Sequence, residues 1–262
     1  MRRLSNIVMM SVLAALLVTV SSNASFYEDN GYTQITIHDN DPNETSGWYG
    51  PQEDNEVHPG AATGQHWDLE GYYQKEDSVV MIGGWDFRNG YGSGDYLSGD
   101  IFIDVDGLGT GPNEYGYEYA IDVNWPSLAY SIVKLDSDSV IQEILSTGFN
   151  SSDPWNYLSG GELTGYGGVL DYETGLSDAY TGFSGNGATN SHNAVGIDLS
   201  FLGAMEPGTE FTIHFTQSCG NDNLMGHGST APVPEPATMI LFGSGLLGLA
   251  GVGRKNLKKK EA

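Results

Sequence analysis

YGYEYAIDVNW, residues Tyr115–Trp125, alternates large apolar side chains with small or polar ones. Successive side chains of a β-strand point to opposite faces, so the pattern predicts a strand with one face on the core. We expect this buried face to carry the six odd-numbered residues, Tyr115, Tyr117, Tyr119, Ile121, Val123 and Trp125. Half-buried strands of this kind are typical of antiparallel sheets.

Further strands are indicated on both sides of this stretch. Seven other segments combine β-branched or aromatic residues with flanking turn residues: Gly31–His38, Ser78–Trp85, Asp100–Gly107, Leu128–Leu135, Val140–Leu145, Ala194–Phe201 and Glu210–Gln217. No helical period extends over three turns of this region. Many short strands separated by turns predict an all-β fold, an antiparallel β-sandwich of jelly-roll-like type. Ser159–Asn193 is glycine-rich and predicts either a large loop insertion or irregular edge strands.

The charge of the chain limits its partners. The 262 residues include 34 acidic and 10 basic side chains, for a formal net charge of −24. Between residues 25 and 230 the only basic side chains are Lys75, Arg88 and Lys134, so no surface there can neutralise phosphates, which excludes nucleic acid. The acidity indicates either divalent-cation binding or a solvated acidic surface. Cys219 is the only cysteine, which excludes an intrachain disulfide; it is either buried or available for an intermolecular bond.

The N-terminus carries the features of a secretory signal peptide. Arg2 and Arg3 precede the apolar segment Ile7–Val20, and Ser22–Ala24 provides small residues for signal peptidase. We predict a signal peptide at residues 1–24, cleavage after Ala24 and export through the Sec route. A retained anchor is the alternative, and the shortness of the apolar run disfavours it.

The C-terminus combines prolines, an apolar run and a basic end. Ala237–Gly253 contains no charged side chain, and as a helix it would extend about 25 Å, slightly less than the roughly 30 Å hydrocarbon core. Flanking lysines can snorkel to complete a single transmembrane helix. Five basic residues within Arg254–Lys260 place the tail in the cytoplasm before processing, and the domain at residues 25–230 outside.

These three features in this order resemble the PEP-CTERM sorting signal, here at residues 231–262. The residues that carry the motif are Pro234, Glu235, Pro236, Arg254 and Lys255. The resemblance implies recognition by an exosortase, removal of the tail, and delivery to the outer envelope or extracellular matrix of a Gram-negative bacterium that makes exopolysaccharide. The alternative is an ordinary single-pass anchor with a chance proline pair.

A second resemblance covers the end of the predicted domain. Phe211–Asp222, which ends in Cys-Gly-Asn-Asp, is similar to the closing strand of a group of exosortase-sorted surface proteins, and Ser98–Asp104 with Tyr117–Asp122 fits the same group. The resemblance implies a β-sandwich surface domain without an assigned activity. In this strand we expect His214 on the face opposite to the apolar residues Phe211, Ile213 and Phe215.

Acidic residues converge if the strands before Asp106 and after Tyr115 form a hairpin. The residues concerned are Asp100, Asp104, Asp106, Asn113, Glu114, Glu118 and Asp122. Calcium takes six to eight oxygen ligands, so we predict that Asp104 and Asp106, with Asn113 or Glu114, hold a structural Ca²⁺. The spacing departs from the EF-hand pattern, and a turn with solvated carboxylates is the alternative.

Aromatic residues in turns suggest contact with a glycan. Trp48 and Tyr49 follow Ser-Gly, and Trp155 and Tyr157 follow Asp-Pro. Flat aromatic side chains beside polar groups suit the apolar faces of sugar rings. In strands, however, aromatic residues usually pack in the core or in cross-strand pairs, and we assign Trp85 and Trp125 to the core.

The sequence patterns of familiar enzymes are absent. No Gly-x-Ser-x-Gly elbow, His-Glu-x-x-His motif or phosphate-binding loop occurs, and so many carboxylates make any proposed glycosidase pair uninformative. The leading hypothesis is a non-catalytic surface or matrix protein associated with exopolysaccharide and biofilm. The alternatives are a carbohydrate-binding module that uses loop aromatics and a polysaccharide-degrading enzyme.

Overall fold

The computed structural model describes residues 25–37, 61–107, 110–146, 152–185, 191–206 and 208–230. In these ranges thirteen strands and three short α-helices occur, and all strand pairs are antiparallel. The prediction of an all-β antiparallel sandwich is confirmed. The predicted signal peptide and the predicted transmembrane helix lie outside the described residues.

Two sheets form the sandwich. The first contains, in spatial order, β1 (Thr33–Gln34), β2 (Leu69–Lys75), β3 (Ser78–Gly83), β11 (His192–Asp198) and β10 (Asp171–Leu176). The second contains β13 (Asn223–Ser229), β12 (Glu210–Thr216), β4 (Ile101–Asp104), β5 (Tyr119–Asn124), β6 (Ala129–Lys134) and β9 (Glu162–Val169). The glycine-rich stretch Ser159–Asn193 therefore supplies β9 and β10, which lie at sheet edges.

Residues 33–37 join the two sheets along one side. β1 pairs with β2, and Ile35 N donates to the carbonyl oxygen of Tyr72 at 2.9 Å. The same short segment then pairs with β13, where His227 N donates to Ile35 O at 2.8 Å and Ile37 N donates to Met225 O at 2.9 Å. One extended segment thus hydrogen-bonds to both sheets and closes this edge of the sandwich.

The main hydrophobic core lies between the sheets. It contains Trp85, Ile103, Ile121, Val195 and Phe215, each with no exposed surface. Trp85 and Trp125 both belong to it, as the sequence predicts. Burial of this apolar area is the main term that stabilises the fold.

Both sheets are also covered on their outer faces. α1 (Phe26–Asp29) and α2 (Asp178–Thr181) lie over the first sheet, where Tyr27 packs with Tyr73 and Phe183. A hairpin of β7 (Val140–Gln142) and β8 (Asn156–Ser159) lies over the second sheet, where Phe102 packs with Ala120 and Leu135. α3 (Ser200–Met205) follows β11 and adds Phe201 to the main core. The central strands are consequently buried on both faces.

The predicted buried face of Tyr115–Trp125 is wrong for its first two residues. Tyr119, Ile121, Val123 and Trp125 do pack in the main core, but Tyr115 and Tyr117 belong to the outer cluster of the second sheet. The reason is local, because Gly116 has φ +80° and the turn before it redirects the chain. Regular alternation therefore starts only where β5 starts.

Candidate functional site

Three carboxylates converge at the end of β4. Asp104 is the last residue of β4, Asp106 follows it in a turn, and Glu118 directly precedes β5. One carboxylate oxygen from each lies within 4.8 Å of the others. The hairpin geometry that the sequence suggests thus brings acidic residues together, with Glu118 as the third member.

Asp104 is only 1% exposed, and its two carboxylate oxygens differ. Oδ1 accepts hydrogen bonds from the amides of Asp106 at 2.9 Å and Gly107 at 2.8 Å, which fixes the turn. Oδ2 is buried and has no hydrogen-bond partner. A buried oxygen without a partner raises the free energy of the folded state.

The two carboxylate oxygens of Glu118 also differ. Its Oε2 accepts the amide of Val105 at 2.8 Å, whereas Oε1 is buried without a hydrogen-bond partner. Burial raises the pKa of Glu118 to about 7; the Val105 amide opposes this rise, and the charges of Asp106 and Asp104 and the side-chain contact with Asp104 add to it. The backbone at Gly111 lies close to this carboxylate, because a β-carbon at Gly111 would be only 2.5 Å from Oε1.

Of the two other predicted calcium ligands, Glu114 lies outside this group of carboxylates and Asn113 takes part in the turn. The side-chain oxygen of Asn113 accepts the amides of Tyr115 and Gly116, both at 3.1 Å, and its Nδ2 donates to Tyr117 O at 2.6 Å. Asn113 therefore builds the turn, and Glu114 is exposed. Of the predicted set, Asp104 and Asp106 come together.

Asp100, which the sequence places in the same acidic group, has a separate structural role. Its carboxylate accepts the amide of Val123 at 2.9 Å and that of Tyr157 at 2.8 Å, so it ties β8 to β5. Burial raises the pKa of Asp100 to about 7, and these two amide donors oppose that rise.

The predicted glycan contacts fall in different environments. Trp155 is only 7% exposed and Tyr157 is half-buried, with its hydroxyl donating to Gly160 O at 2.6 Å. Both sit where the β7–β8 hairpin packs on the second sheet. Trp48 and Tyr49 lie outside the described residues.

A groove of about 490 Å³ passes beside Trp155. Its lining includes Arg88, Asn89, Leu97, Asn124, Trp125 and Asn156. It offers amide groups next to indole rings, a combination that suits hydroxyl-rich ligands. The guanidinium of Arg88 is fixed by hydrogen bonds of 3.1 and 2.9 Å to Pro126 O.

An aromatic platform adjoins this groove through Leu97. Tyr91 is 44% exposed and stacks on His66 with ring centroids 4.5 Å apart, and Tyr96 is 39% exposed and meets Trp67 edge-on at 5.1 Å. Reciprocal backbone hydrogen bonds of 3.0 and 3.1 Å join the two tyrosines. Both rings are thus presented to solvent on a closed loop.

A Glu-His-Asp network, in which Glu70 and His192 are buried and Asp178 is partly exposed, lies on the outer face of the first sheet. His192 Nδ1 lies 2.6 Å from Glu70 Oε2, His192 Nε2 lies 3.1 Å from Asp178 Oδ1, and Gln65 Nε2 donates to Glu70 Oε1 at 2.8 Å. Burial opposes the charge of His192, but Glu70 and Asp178 together raise its pKa. Sequence reasoning missed this network because its members are far apart in the chain.

The comparison with protein families identifies the C-terminal segment. The PEP-CTERM protein-sorting motif matches residues 232–255, which include Pro234, Glu235, Pro236, Arg254 and Lys255. This chain carries a PEP-CTERM sorting signal. The PEP-CTERM motif implies export, exosortase processing and sorting to the bacterial cell surface. No curated protein and no solved structure matches the chain.

The described part of this PEP-CTERM chain contains no helix long and apolar enough to cross a membrane. The predicted span at Ala237–Gly253 lies outside that part. The folded domain thus precedes the sorting signal in the chain.

The Cys-Gly-Asn-Asp sequence forms a turn that holds three segments together. Asn221 Nδ2 donates to Ala62 O at 2.9 Å and its Oδ1 accepts the Ala62 amide at 2.8 Å, while Asp222 Oδ2 accepts the Leu69 amide at 2.7 Å. Ser152 Oγ donates to Gly220 O at 3.0 Å. Cys219 is buried and burial raises the pKa of its thiol, which disfavours the reactive thiolate. These contacts give the turn a structural role.

Proposed function

We propose that this chain is a non-catalytic surface or matrix protein that associates with exopolysaccharide after exosortase processing. The observation that carries the proposal is the PEP-CTERM motif at residues 232–255, which implies a destination outside the cell. The acidic domain that precedes it is suited to a hydrated polymer layer, since its charge favours solubility.

A non-catalytic role is supported by how three buried titratable groups, Glu70, His192 and Asp100, are used. His192 contacts Glu70 and the partly exposed Asp178, and Asp100 accepts two backbone amides. These groups stabilise the sandwich and are engaged within it. A general acid or base must instead reach a bound substrate.

The second candidate function is carbohydrate binding by the aromatic platform and the adjoining groove. Tyr91 and Tyr96 are held on a closed loop with exposed rings, so little conformational entropy is lost when they stack on a sugar. The amide side chains of Asn89, Asn124 and Asn156 provide donors and acceptors for hydroxyl groups. In a surface protein, this site would bind the polymer itself.

The experiment combines polymer binding and polymer cleavage. The exported protein is mixed with the host exopolysaccharide, and bound protein is measured by sedimentation while reducing ends are measured in the same sample. We expect binding without release of reducing ends. Release of reducing ends by the purified protein, or no binding to the polymer, would contradict the leading proposal.

Variants locate the contact. The Tyr91→Ala, Tyr96→Ala double variant should bind at least about tenfold more weakly, equivalent to about 1.4 kcal/mol. Tyr166→Ala is the matched control, because Tyr166 is also 44% exposed but lies on β9. If both variants bind as the wild-type protein does, the platform is not the carbohydrate site.

A further inference from the structure

We propose that Asp104, Asp106 and Glu118 form a calcium site between β4 and β5. Each supplies a carboxylate oxygen, and the three oxygens lie within 4.8 Å of one another. Two oxygens that each lie about 2.4 Å from one calcium ion can be at most about 4.8 Å apart, so the spacing fits a single ion.

The buried oxygens point to a ligand independently of the clustering. Asp104 is 1% exposed, and its Oδ2 has no hydrogen-bond partner although Oδ1 is fully used by two turn amides. Oε1 of Glu118 is likewise buried and no donor reaches it; the Glu118 side chain meets the Asp104 carboxylate, so this contact needs a proton or a cation between the two groups. A solvated acidic turn would expose such oxygens to water, whereas a cation satisfies them where they are.

Within the part of the chain that the structure describes, no basic side chain forms an ion pair with these carboxylates. In the described ranges, every ion pair shorter than 4.0 Å has a histidine as its basic partner, and none involves Asp104, Asp106 or Glu118. Each unbalanced carboxylate raises the electrostatic energy of the others. A divalent cation removes this repulsion and supplies the missing partner at once.

The surroundings leave room for the rest of a calcium coordination sphere. A cavity of about 280 Å³ lies beside Asp104 and Asp106, which is exposed to solvent, and Glu118 is not part of its lining. Its other lining residues include Gly107, Glu210, Thr212 and His227. Calcium takes six to eight oxygens in flexible geometry, so waters in this cavity can complete a sphere that the carboxylates begin. The three clustered side chains supply only oxygen donors, which suits calcium better than zinc, and His227 lines the cavity outside this cluster.

Binding would fasten the loop between β4 and β5. Asp104 and Asp106 lie at one end of that loop and Glu118 at the other, and Gly111 lies against the Glu118 carboxylate. The ion would therefore connect two neighbouring strands of the second sheet through side chains. We expect a stabilising role for it.

The test uses the exported protein after chelator treatment, with calcium chloride as the probe. We expect the thermal midpoint to rise by about 3–6 °C at a calcium concentration roughly tenfold above the dissociation constant. Magnesium chloride at equal ionic strength should raise it less, since magnesium demands stricter octahedral geometry. Terbium provides a second readout, because Tyr117 lies near Asp104 and can sensitise its emission.

Three variants decide the location. Asp104→Asn keeps the Oδ1 acceptor of the turn and Glu118→Gln keeps the Oε2 acceptor, and both remove charge from the cluster. Each should abolish the calcium-dependent shift and melt at or above the wild-type temperature in chelator, since repulsion is relieved. Glu114→Gln is the matched control, because Glu114 is an exposed carboxylate of the same loop, and it should keep the full shift.

Two results would overturn the site. The first is a calcium shift that survives in both Asp104→Asn and Glu118→Gln, which would place the ion elsewhere. The second is a wild-type protein whose thermal midpoint does not change with calcium and which does not enhance the emission of added terbium. Loss of polymer binding with an intact calcium shift would affect only the proposed function, so the two proposals fail separately.

Discussion

His214 is a fully buried histidine on the outer face of the second sheet, opposite to the core residues of β12, as its position in the sequence predicts. Its Nε2 donates to Pro154 O at 2.9 Å, and its ring lies beside Tyr117 and Phe102. Burial lowers the pKa of His214 to about 4, although its hydrogen bonds oppose this. The ring is therefore neutral in the folded protein at neutral pH.

This histidine should make the protein sensitive to acid. Between about pH 6.5 and pH 4 the unfolded chain binds a proton at His214 and the folded chain does not, so stability falls as pH falls. We expect His214→Gln to be less stable than wild type at pH 7, and the difference to shrink as pH approaches 4. Urea midpoints at several pH values measure this.

His227→Gln provides the control for this prediction. His227 also lies in the β12–β13 pair, but its side chain is 55% exposed. Its substitution should leave the acid dependence near that of wild type. A constant difference between wild type and His214→Gln from pH 7 to pH 4 would contradict the explanation.

The acidic site shows how far single residues can be predicted. The Asp-x-Asp-Gly pattern at Asp104 correctly indicated a turn lined with carboxylates, because local spacing fixes it. The choice between Glu114 and Glu118 depended on the turn at Asn113 and Gly116, which no local pattern specifies. The Glu70 and His192 contact depends on β2 and β11 meeting across β3, which is a property of topology.

At the scale of elements, strands with alternating residues were predicted directly, whereas for the glycine-rich stretch Ser159–Asn193 edge strands were only one of two alternatives. β4, β5, β6 and β12 lie within predicted segments, whereas β13 was missed. β13 contains Gly226 and Gly228, which remove the alternation of side chains that reveals a strand. β2 was missed as well. Its first five residues are all buried, because both faces of the first sheet are covered, so its sequence does not alternate between polar and apolar residues.

Gly226 allows the two sheets to approach at the closed edge. A β-carbon at this position would lie 2.8 Å from the Tyr72 ring and 3.1 Å from Ile213 Cγ2. We expect Gly226→Ala to destabilise the protein by about 1–3 kcal/mol through overpacking. Denaturant unfolding measures the change in free energy.

Gly168→Ala tests whether the effect comes from packing. Gly168 lies in β9, and a β-carbon there would meet the Tyr130 ring at 3.4 Å, an ordinary contact. This variant should be neutral or slightly stabilised, because alanine has less conformational freedom in the unfolded chain. Equal losses in both variants would show that close approach at the edge is not the cause.

At the scale of the whole molecule, the sorting signal was easier to predict than the activity. The order of prolines, apolar run and basic end is written in consecutive residues, and the PEP-CTERM motif confirms it. A binding surface is instead assembled from distant segments, as Asn89, Asn124 and Asn156 are in the groove. Residue order along the chain cannot reveal such a surface before the fold is known.

The same consecutive residues make the processing of the chain testable. In a bacterium with an exosortase, we expect the mature protein to lack the basic tail that follows Arg254, since the PEP-CTERM motif is the signal for its removal. A variant with Pro234→Ala, Glu235→Ala and Pro236→Ala should keep the tail. Intact mass measurement of protein from the cell envelope and the medium distinguishes the two forms.

A host without the exosortase provides the matched control, because the wild-type protein should then keep its tail as the variant does. Retention of the tail only in the variant and in the control host would tie removal to both the motif and the enzyme. Wild-type protein that retains the tail beyond Arg254 at steady state in a host with the enzyme would contradict exosortase processing. Since all the described strands of the sandwich precede the motif in the chain, the thermal midpoint should be the same in both forms.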